Sequence, residues 1–401
     1  MAMMSHSAER PRAGGDKVPG SMLRNHNERL ILSLLRESGP LSGAQIAREC
    51  AFSAQTASVI TRSLEADGLI AFGDPVKGKV GKPSVPVALS AEGAYAFGLR
   101  IGRRGVEIIL LDLLGQIRGS ERSEYDFPTP EKVDQFVEGA IGRLSQRIPA
   151  ARRDRIVGIG VGAPFELWNW LDLVGAPIRE MAAWEGHSFH EAFARFTDLP
   201  VLVGNDATMA CNGERVAGIG RHKPNFAYIY IGPLLGGGIV LNGELFEGAS
   251  GNAAALGSLP AGGAGAGQIN RYGSILLLER HLAEQTGKRV SLWGNAAAWA
   301  EHAELIEPWI RATALALAQA AVTVSSILDL QDIVIDGSYP RDVAQRIASD
   351  TQAALTEFDT RGIHPPSILC GTLGARAGTL GAAHQPIMAA HFLDGSQIAA
   401  R

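Results

Sequence analysis

The chain has 401 residues, too many for a single hydrophobic core, so two or three domains are expected. A hydrophobic fraction of 46% and a charged fraction of 19% describe a soluble globular protein. The net charge is only −4 but is unevenly spread: residues 1–90 hold 11 of the 37 Lys and Arg and only 8 of the 41 Asp and Glu. A mildly basic head on an acidic body suits a DNA reader joined to a separate sensor. Cys50, Cys211 and Cys370 lie far apart with no Cys-x-x-Cys spacing. That argues against a disulfide framework or a thiolate metal site, and for a reducing, cytoplasmic setting.

Residues 1–20 are polar, of mixed charge, and lack the apolar run of a signal peptide; they read as a mobile tail. Residues 21–90 read as a DNA-binding unit. Asn27 to Glu37 is a first helix, with Leu30, Ile31, Leu34 and Leu35 turned inward. A short helix after Leu41 buries Ile46 and Ala47. Phe52-Ser53 makes a tight corner, and Ser53 is placed to N-cap a further helix. There Ala57, Ile60 and Leu64 share the inward face, while Gln55, Thr56, Ser58 and Arg62 point outward. Asp67-Gly68 ends the helix. A hairpin follows, with Lys77, Lys79 and Lys82 set around Gly78, Gly81 and Pro83. This is the pattern of a winged helix-turn-helix, whose recognition helix enters the major groove while the wing lies on the phosphates. Ser53, Gln55, Thr56 and Ser58 are expected at base edges, and Arg62, Lys77, Lys79 and Lys82 mostly at phosphates. The same short elements could also form a protein-contact module.

Residues 91–401 alternate strands with helices, which implies an α/β body. The segments 94–102 and 105–119 read as two strands joined by the Arg103-Arg104-Gly105 hairpin. A helix from Pro130 to Arg147, a buried strand at 155–166, a helix near His187 to Phe196, a strand at 199–206 and a helix from Ala207 to Val216 follow. The segments 225–232 and 236–248 make a second hairpin, with Asn242-Gly243 as a turn signal. The uncharged run Ala312 to Leu328 reads as a buried core helix rather than a membrane span. A strand at 332–337 precedes the glycine-rich C-terminal segment 366–387. Two similar halves, each opened by a glycine-turned hairpin, suggest two lobes around a cleft.

The order of IGVGAP at 159–164, LPVLVGNDATMACNGE at 199–214, GGGIVLNGELFEG at 236–248 and the late LGARAGTLGAA resembles the ROK family of repressors, open reading frames and sugar kinases. The resemblance covers roughly residues 25–390. It implies an actin-like, ribonuclease H-type sugar kinase fold of two lobes. The winged helix ahead of it is similar to the regulator branch of the family.

The resemblance also shows what is missing. The family's first phosphate hairpin begins with Asp, which helps to hold magnesium; here the stretch is Arg100-Ile101-Gly102-Arg103-Arg104. A guanidinium stays protonated and cannot hold a cation. The family's second hairpin becomes Gly232-Pro233-Leu234-Leu235-Gly236-Gly237-Gly238, where Pro233 has no N–H. The turn is expected to survive through Gly236 to Gly238. Ala254-Ala255-Leu256-Gly257-Ser258 stands where the family has a Glu for sugar hydroxyls and a His for sugar and zinc. The family's zinc cysteines are replaced by residues 263–268, so no structural zinc is expected. Asn205-Asp206 survives. In the family's kinases the Asp is the general base; here a helix cap or a contact to a ligand hydroxyl is the favoured role.

The expectation is therefore a transcriptional regulator, a repressor of carbohydrate-related genes, and not an enzyme, with no cofactor and no metal. Its partners would be an operator duplex, a sugar-derived effector and a second copy of itself, with no membrane. Arg100, Arg103, Arg104, Asn205 and Asp206 are the candidate ligand residues, the three arginines favouring a phosphate or carboxylate. The arginines could instead form a solvated hairpin or pair with acids of the other lobe. The competing reading is an active carbohydrate kinase with an appended DNA reader. His187 and His190, three residues apart, lack a third metal ligand. Trp168, Trp170 and Trp184 could stack on a sugar or pack in the core.

Overall fold

The computed structural model describes residues 26–75, 84–164, 181–262, 265 and 267–393. The expected tail and the wing residues Lys77, Lys79 and Lys82 therefore lie outside the described residues, as do Trp168 and Trp170.

Helices α1 (His26–Ser38), α2 (Gly43–Glu49) and α3 (Ala54–Ala66) form the N-terminal unit. Strands β1 (Leu41–Ser42), β2 (Ile70–Phe72) and β3 (Pro86–Leu89) close it as an antiparallel sheet ordered β1-β3-β2. A capping box opens α2: Ser42 Oγ accepts from Gln45 N at 3.3 Å, and Gln45 Oε1 accepts from Ser42 N at 2.9 Å. The corner before α3 needs a left-handed residue, supplied by Ala51 at φ +55°. Ser53 then caps α3 as expected, accepting from Thr56 N at 3.0 Å. Ala57 and Leu64 are buried, but Ile60 is only half-buried, and the third inward position is Thr61. Its hydroxyl donates to Ala57 O at 2.8 Å, so the helix's own backbone satisfies a polar group that the apolar spacing did not reveal.

The body holds two five-stranded sheets of the same design. The first runs β6-β5-β4-β7-β8, from β4 (Tyr95–Ile101), β5 (Gly105–Asp112), β6 (Ile117–Glu124), β7 (Ile156–Ala163) and β8 (Val201–Asn205). The second runs β11-β10-β9-β12-β13, from β9 (Phe226–Ile231), β10 (Leu235–Leu241), β11 (Glu244–Leu245), β12 (Asp332–Gly337) and β13 (Ser367–Cys370). In each sheet the first three strands are antiparallel and the last two add in parallel. The two halves expected from sequence are thus present.

Three expected elements change. The long strand 105–119 breaks at buried Asp112, whose Oδ1 accepts from Leu114 N (3.0 Å) and Gln116 N (2.9 Å) while Gly115 turns at φ +79°. The side chain closes a turn, so one apolar run becomes β5 and β6. The helix expected at 187–196 shortens to α5 (Phe189–Phe193), because Ser188 caps it and Arg195 Nε takes Ala192 O at 3.0 Å. Gly236 to Gly238 are not the second hairpin turn. They lie in β10, where a Cβ on Gly236 or Gly238 would strike Ala207 or Cys211 of the helix Asp206–Ala217; the turn is Gly232 to Leu234.

Helix α4 (Pro130–Ser145) packs on the first sheet. On the second pack α7 (Ile275–Thr286), α8 (Ala303–Leu328) and α9 (Arg341–Ala354). Helix α8 contains the uncharged run and is long and apolar enough to cross a membrane; Ile306, Ile310, Leu317 and Val324 bury it in the second lobe's core.

Between the sheets, α6 (Asp206–Ala217) crosses α10 (Ala377–His391). Their backbones touch: a Cβ on Gly213 would meet Ala377 O, and one on Gly381 would meet Met209 O. Asn212 Nδ2 donates to Gly381 O at 2.8 Å and locks the crossing. The N-terminal unit is docked onto the far ends of these two helices. Leu30, Ile31, Ile46 and Leu64 share one core with Ala94, Ile109, Leu380 and Ile387 of the body.

Candidate functional site

A cleft of about 480 Å3 opens between the lobes. Arg100, Arg103, Arg104, Asn205 and Asp206 all line it, so the structure brings together the five residues proposed from sequence. Arg100 is the penultimate residue of β4 and the other two arginines lie in the β4–β5 turn. Asn205 and Asp206 sit where β8 runs into α6.

The five do different things. Asn205 is the cap of α6, its Oδ1 accepting from Ala207 N at 2.9 Å and Thr208 N at 3.3 Å. Its amide still faces Asn252 Oδ1, at 3.5 Å. Asp206 is the first residue of α6, where the helix end favours a carboxylate. Burial pushes its carboxyl up, and the Arg100 charge pulls it back down. The Arg100 guanidinium lies 5.4 Å from the centre of the Tyr230 ring, a cation–π distance. Arg104 crosses the cleft: Nη1 and Nη2 donate to Glu279 Oε1 (3.0 Å) and Oε2 (2.7 Å), and Nη1 also reaches Ser291 Oγ at 3.0 Å. Pairing with an acid of the other lobe is thus realised at Arg104. Arg103 is lowered to about 10, first by burial and then by Arg104, with Arg280 and Arg289 adding to the effect against Glu279. Arg103 and Arg104 therefore lie together at one end of the cleft beside Glu279.

At the segments that match the family's phosphate hairpins, the backbone is engaged within the protein. The N-terminus of α7 points at the second hairpin. Ile275 N donates to Gly232 O at 3.1 Å and Leu276 N to Pro233 O at 3.3 Å, with Ser274 Oγ also on Pro233 O. Two of the hairpin's own amides are used within the protein, Gly232 N by Leu234 O and Leu235 N by Asn270 Oδ1 at 2.7 Å. Helix-end donors that could hold an anion are thus spent on carbonyls. Where the family carries zinc, Ala261 N donates to Gly267 O at 2.9 Å, and Gln319 of α8 reaches Pro260 O at 2.9 Å. Among the described residues no group of three His, Cys, Asp or Glu could hold a metal.

Several cleft residues were not singled out from sequence. Glu279 resembles one charge on an amphipathic helix until Arg104 meets it. Trp293 lies under Arg122, whose guanidinium carbon is 3.9 Å from the ring centre, and closes the cleft against Gly105. Tyr230 carried no signal beyond a buried strand. Of the tryptophans near the cleft in sequence, Trp184 is a core residue, its Nε1 donating to Pro128 O at 2.8 Å. His187 pairs with Asp134 at 3.1 Å and His190 with Val201 O at 2.9 Å, so the two face different partners.

In the N-terminal unit, Ser53, Gln55, Thr56, Ser58 and Arg62 are all exposed on α3. Ser53 and Thr56 hold each other, Oγ to Oγ1 at 2.8 Å, in addition to the cap bond. Base contacts from these two would have to share hydroxyls already engaged. Gln55, Ser58 and Arg62 remain as an outward stripe of hydrogen-bonding side chains.

The ROK family profile matches residues 96–385, and a winged helix-turn-helix DNA-binding profile matches residues 24–71. The chain belongs to the ROK family. It is 28% identical to the uncharacterized protein y4fQ of Sinorhizobium fredii, over 91% of this chain and 92% of that one. It is 22% identical to the xylose repressor of Bacillus spizizenii and 25% identical to the DNA-binding transcriptional dual regulator NagC of Escherichia coli. Those two matches take in 61% of this chain and 62% and 60% of the relatives, under two thirds of their length. Among solved structures, a ROK family transcriptional regulator described as a homologue of the E. coli MLC protein superposes with a TM-score of 0.68 at 21% identity, over 93% of this chain and 97% of that one. A ROK family glucokinase from Streptomyces griseus gives 0.56 at 22% identity, over 73% and 98%. The winged helix-turn-helix match lies ahead of the ROK match in the chain. The ROK body is therefore a kinase-like fold carrying a DNA-binding domain.

Proposed function

We propose that this ROK protein is a transcriptional repressor of carbohydrate-linked genes whose kinase-like body senses a ligand and phosphorylates none. One observation carries the reading: the winged unit stands on a body whose metal carboxylate position is Arg100 and whose second hairpin lacks an N–H at Pro233 and has Gly232 N and Leu235 N taken up by the protein. A magnesium–nucleotide complex needs the reverse, a carboxylate and free amide donors. The named repressors among its relatives support the same conclusion. The protein acts as a cytoplasmic homodimer on a roughly two-fold operator, because one winged unit offers too few base contacts for a genome.

The effector we assign to the cleft is an anionic sugar derivative. Arg100 and Arg103 present guanidinium groups for a phosphate or carboxylate, and Asp206 and Asn252 offer groups for hydroxyls. The route from cleft to DNA is the α6–α10 pair. Both helices begin at the cleft, at Asp206 and near Gly378, and both end under α1. A change in the angle between the lobes would move the helix ends that hold the reader.

The test is recovery of genomic duplexes by the purified protein, followed by release with a panel of neutral sugars, sugar acids and sugar phosphates. Release by an anionic member, weakened in Arg100→Ala, is expected. ATP-dependent phosphorylation of any sugar in that panel would overturn the reading.

A further inference from the structure

Val59 is 63% exposed on α3, an isolated apolar side chain on a polar face. The buried stripe of this helix is Ala57, Thr61 and Leu64. At about 100° per residue, Val59 lies roughly opposite the middle of that stripe, the most outward position on the helix. Gln55 precedes it by one turn, and Ser58 and Arg62 lie on the same side of it as Gln55, all exposed. The fold gives no reason for valine there. It packs against no core cluster, and a β-branched residue weakens an exposed helix position relative to alanine or a long polar side chain.

In a major groove each base pair offers hydrogen-bonding edges, and thymine alone adds a methyl group. Ser53 and Thr56 have their hydroxyls engaged with each other and with the cap, so readout shifts towards Gln55, Ser58 and Arg62, with Val59 beside them. We propose that Val59 is a specificity-determining residue that packs on the 5-methyl group of a thymine, at a fixed step of each half-site. The inference rests on the DNA-reading function proposed above and names one element of its specificity.

The experiment uses the full chain. A duplex is selected from a random pool with the wild-type protein, and each thymidine in it is replaced singly by deoxyuridine, which removes only the methyl. For wild type, one symmetric pair of thymidines is expected to lose about fourfold in affinity per half-site, the worth of one buried methyl. For Val59→Ala, which keeps the helix at least as stable, the same replacements should change affinity by less than about 1.5-fold. If every deoxyuridine duplex binds wild type and Val59→Ala with the same ratio, Val59 does not read a methyl and the proposal fails while DNA reading stands. If no specific duplex emerges from the pool, the DNA-reading function itself fails and takes the proposal with it.

Discussion

Replacing Arg29 with alanine should weaken the docking of the DNA reader on the body. Arg29 leaves α1 and meets the end of α10: its Nε donates to Phe392 O at 2.7 Å, and Nη2 to Ala389 O at 3.4 Å and to Phe392 O. Around it Leu393 N donates to Ser33 Oγ at 2.9 Å, Arg36 Nη2 to Val216 O at 3.2 Å, and Arg221 to Arg36 O at 2.6 Å. A hydrogen bond from a charged group is worth about 1.5–3 kcal/mol, and a cation at a helix C-terminus about 0.3–1 kcal/mol more. The loss of Arg29 should therefore cost on the order of 3 kcal/mol of docking, about a hundredfold in the docked-to-undocked ratio. All six tryptophans lie in the body, so their fluorescence follows the body alone, whereas circular dichroism follows both parts. In urea the two probes should coincide for wild type and separate for Arg29→Ala, the reader melting first. The variant should also bind operator duplex without release by effector. Coincident transitions at an unchanged midpoint would show that the contact does not hold the two parts together, and the α6–α10 route would lose its anchor.

Other expectations concern the cleft, the buried Asp336 and the reading helix. Arg104→Ala and Glu279→Ala should be non-additive, with a coupling on the order of 2 kcal/mol in a double-mutant cycle, because the pair is bidentate and Glu279 is only 7% exposed; additive effects would mean that the lobes do not meet there. Asp336 is held up at about 7, first by burial and then by Glu214 beside it, against donors Gly337 N and Gly374 N. The folded state thus retains a proton that the unfolded chain gives up, so this group's contribution is full below about pH 4 and is lost as pH rises towards 7; Asp336→Asn should flatten the difference in urea midpoint across that window, and an unchanged slope would rule the assignment out. Gln55→Ala should cost about 1–3 kcal/mol and relax specificity at one position, while Arg62→Ala should weaken all duplexes alike and reduce the salt slope by about one; filter binding at several salt concentrations separates the two, and unchanged affinity for either would remove that side chain from the interface.

How much of this was legible beforehand follows from the range over which each feature is encoded. The caps at Ser53 and Asn205, the Asp67-Gly68 stop and the Asn242-Gly243 turn are local chemistry, and each stands where the residues put it. The two lobes follow from strand–helix alternation and from glycines spaced for close backbone approach. The departures from a kinase are single substitutions at motif positions, so they too can be read along the chain. Local signals failed where a side chain overrode its own segment: Asp112 bent a continuous apolar run, and Thr61 hid its hydroxyl inside a helix. The cleft itself was decided by tertiary structure. Arg104 and Glu279 are 175 positions apart, and nothing in either neighbourhood distinguishes a bidentate pair from two solvated charges. The same holds for Arg122 on Trp293, for Arg29 on Phe392 and for the glycine crossing of α6 with α10. Sequence spacing sets which faces are apolar and where the chain can turn; which charges then face each other depends on how the two lobes and the reader pack, and packing sums contacts over the whole chain.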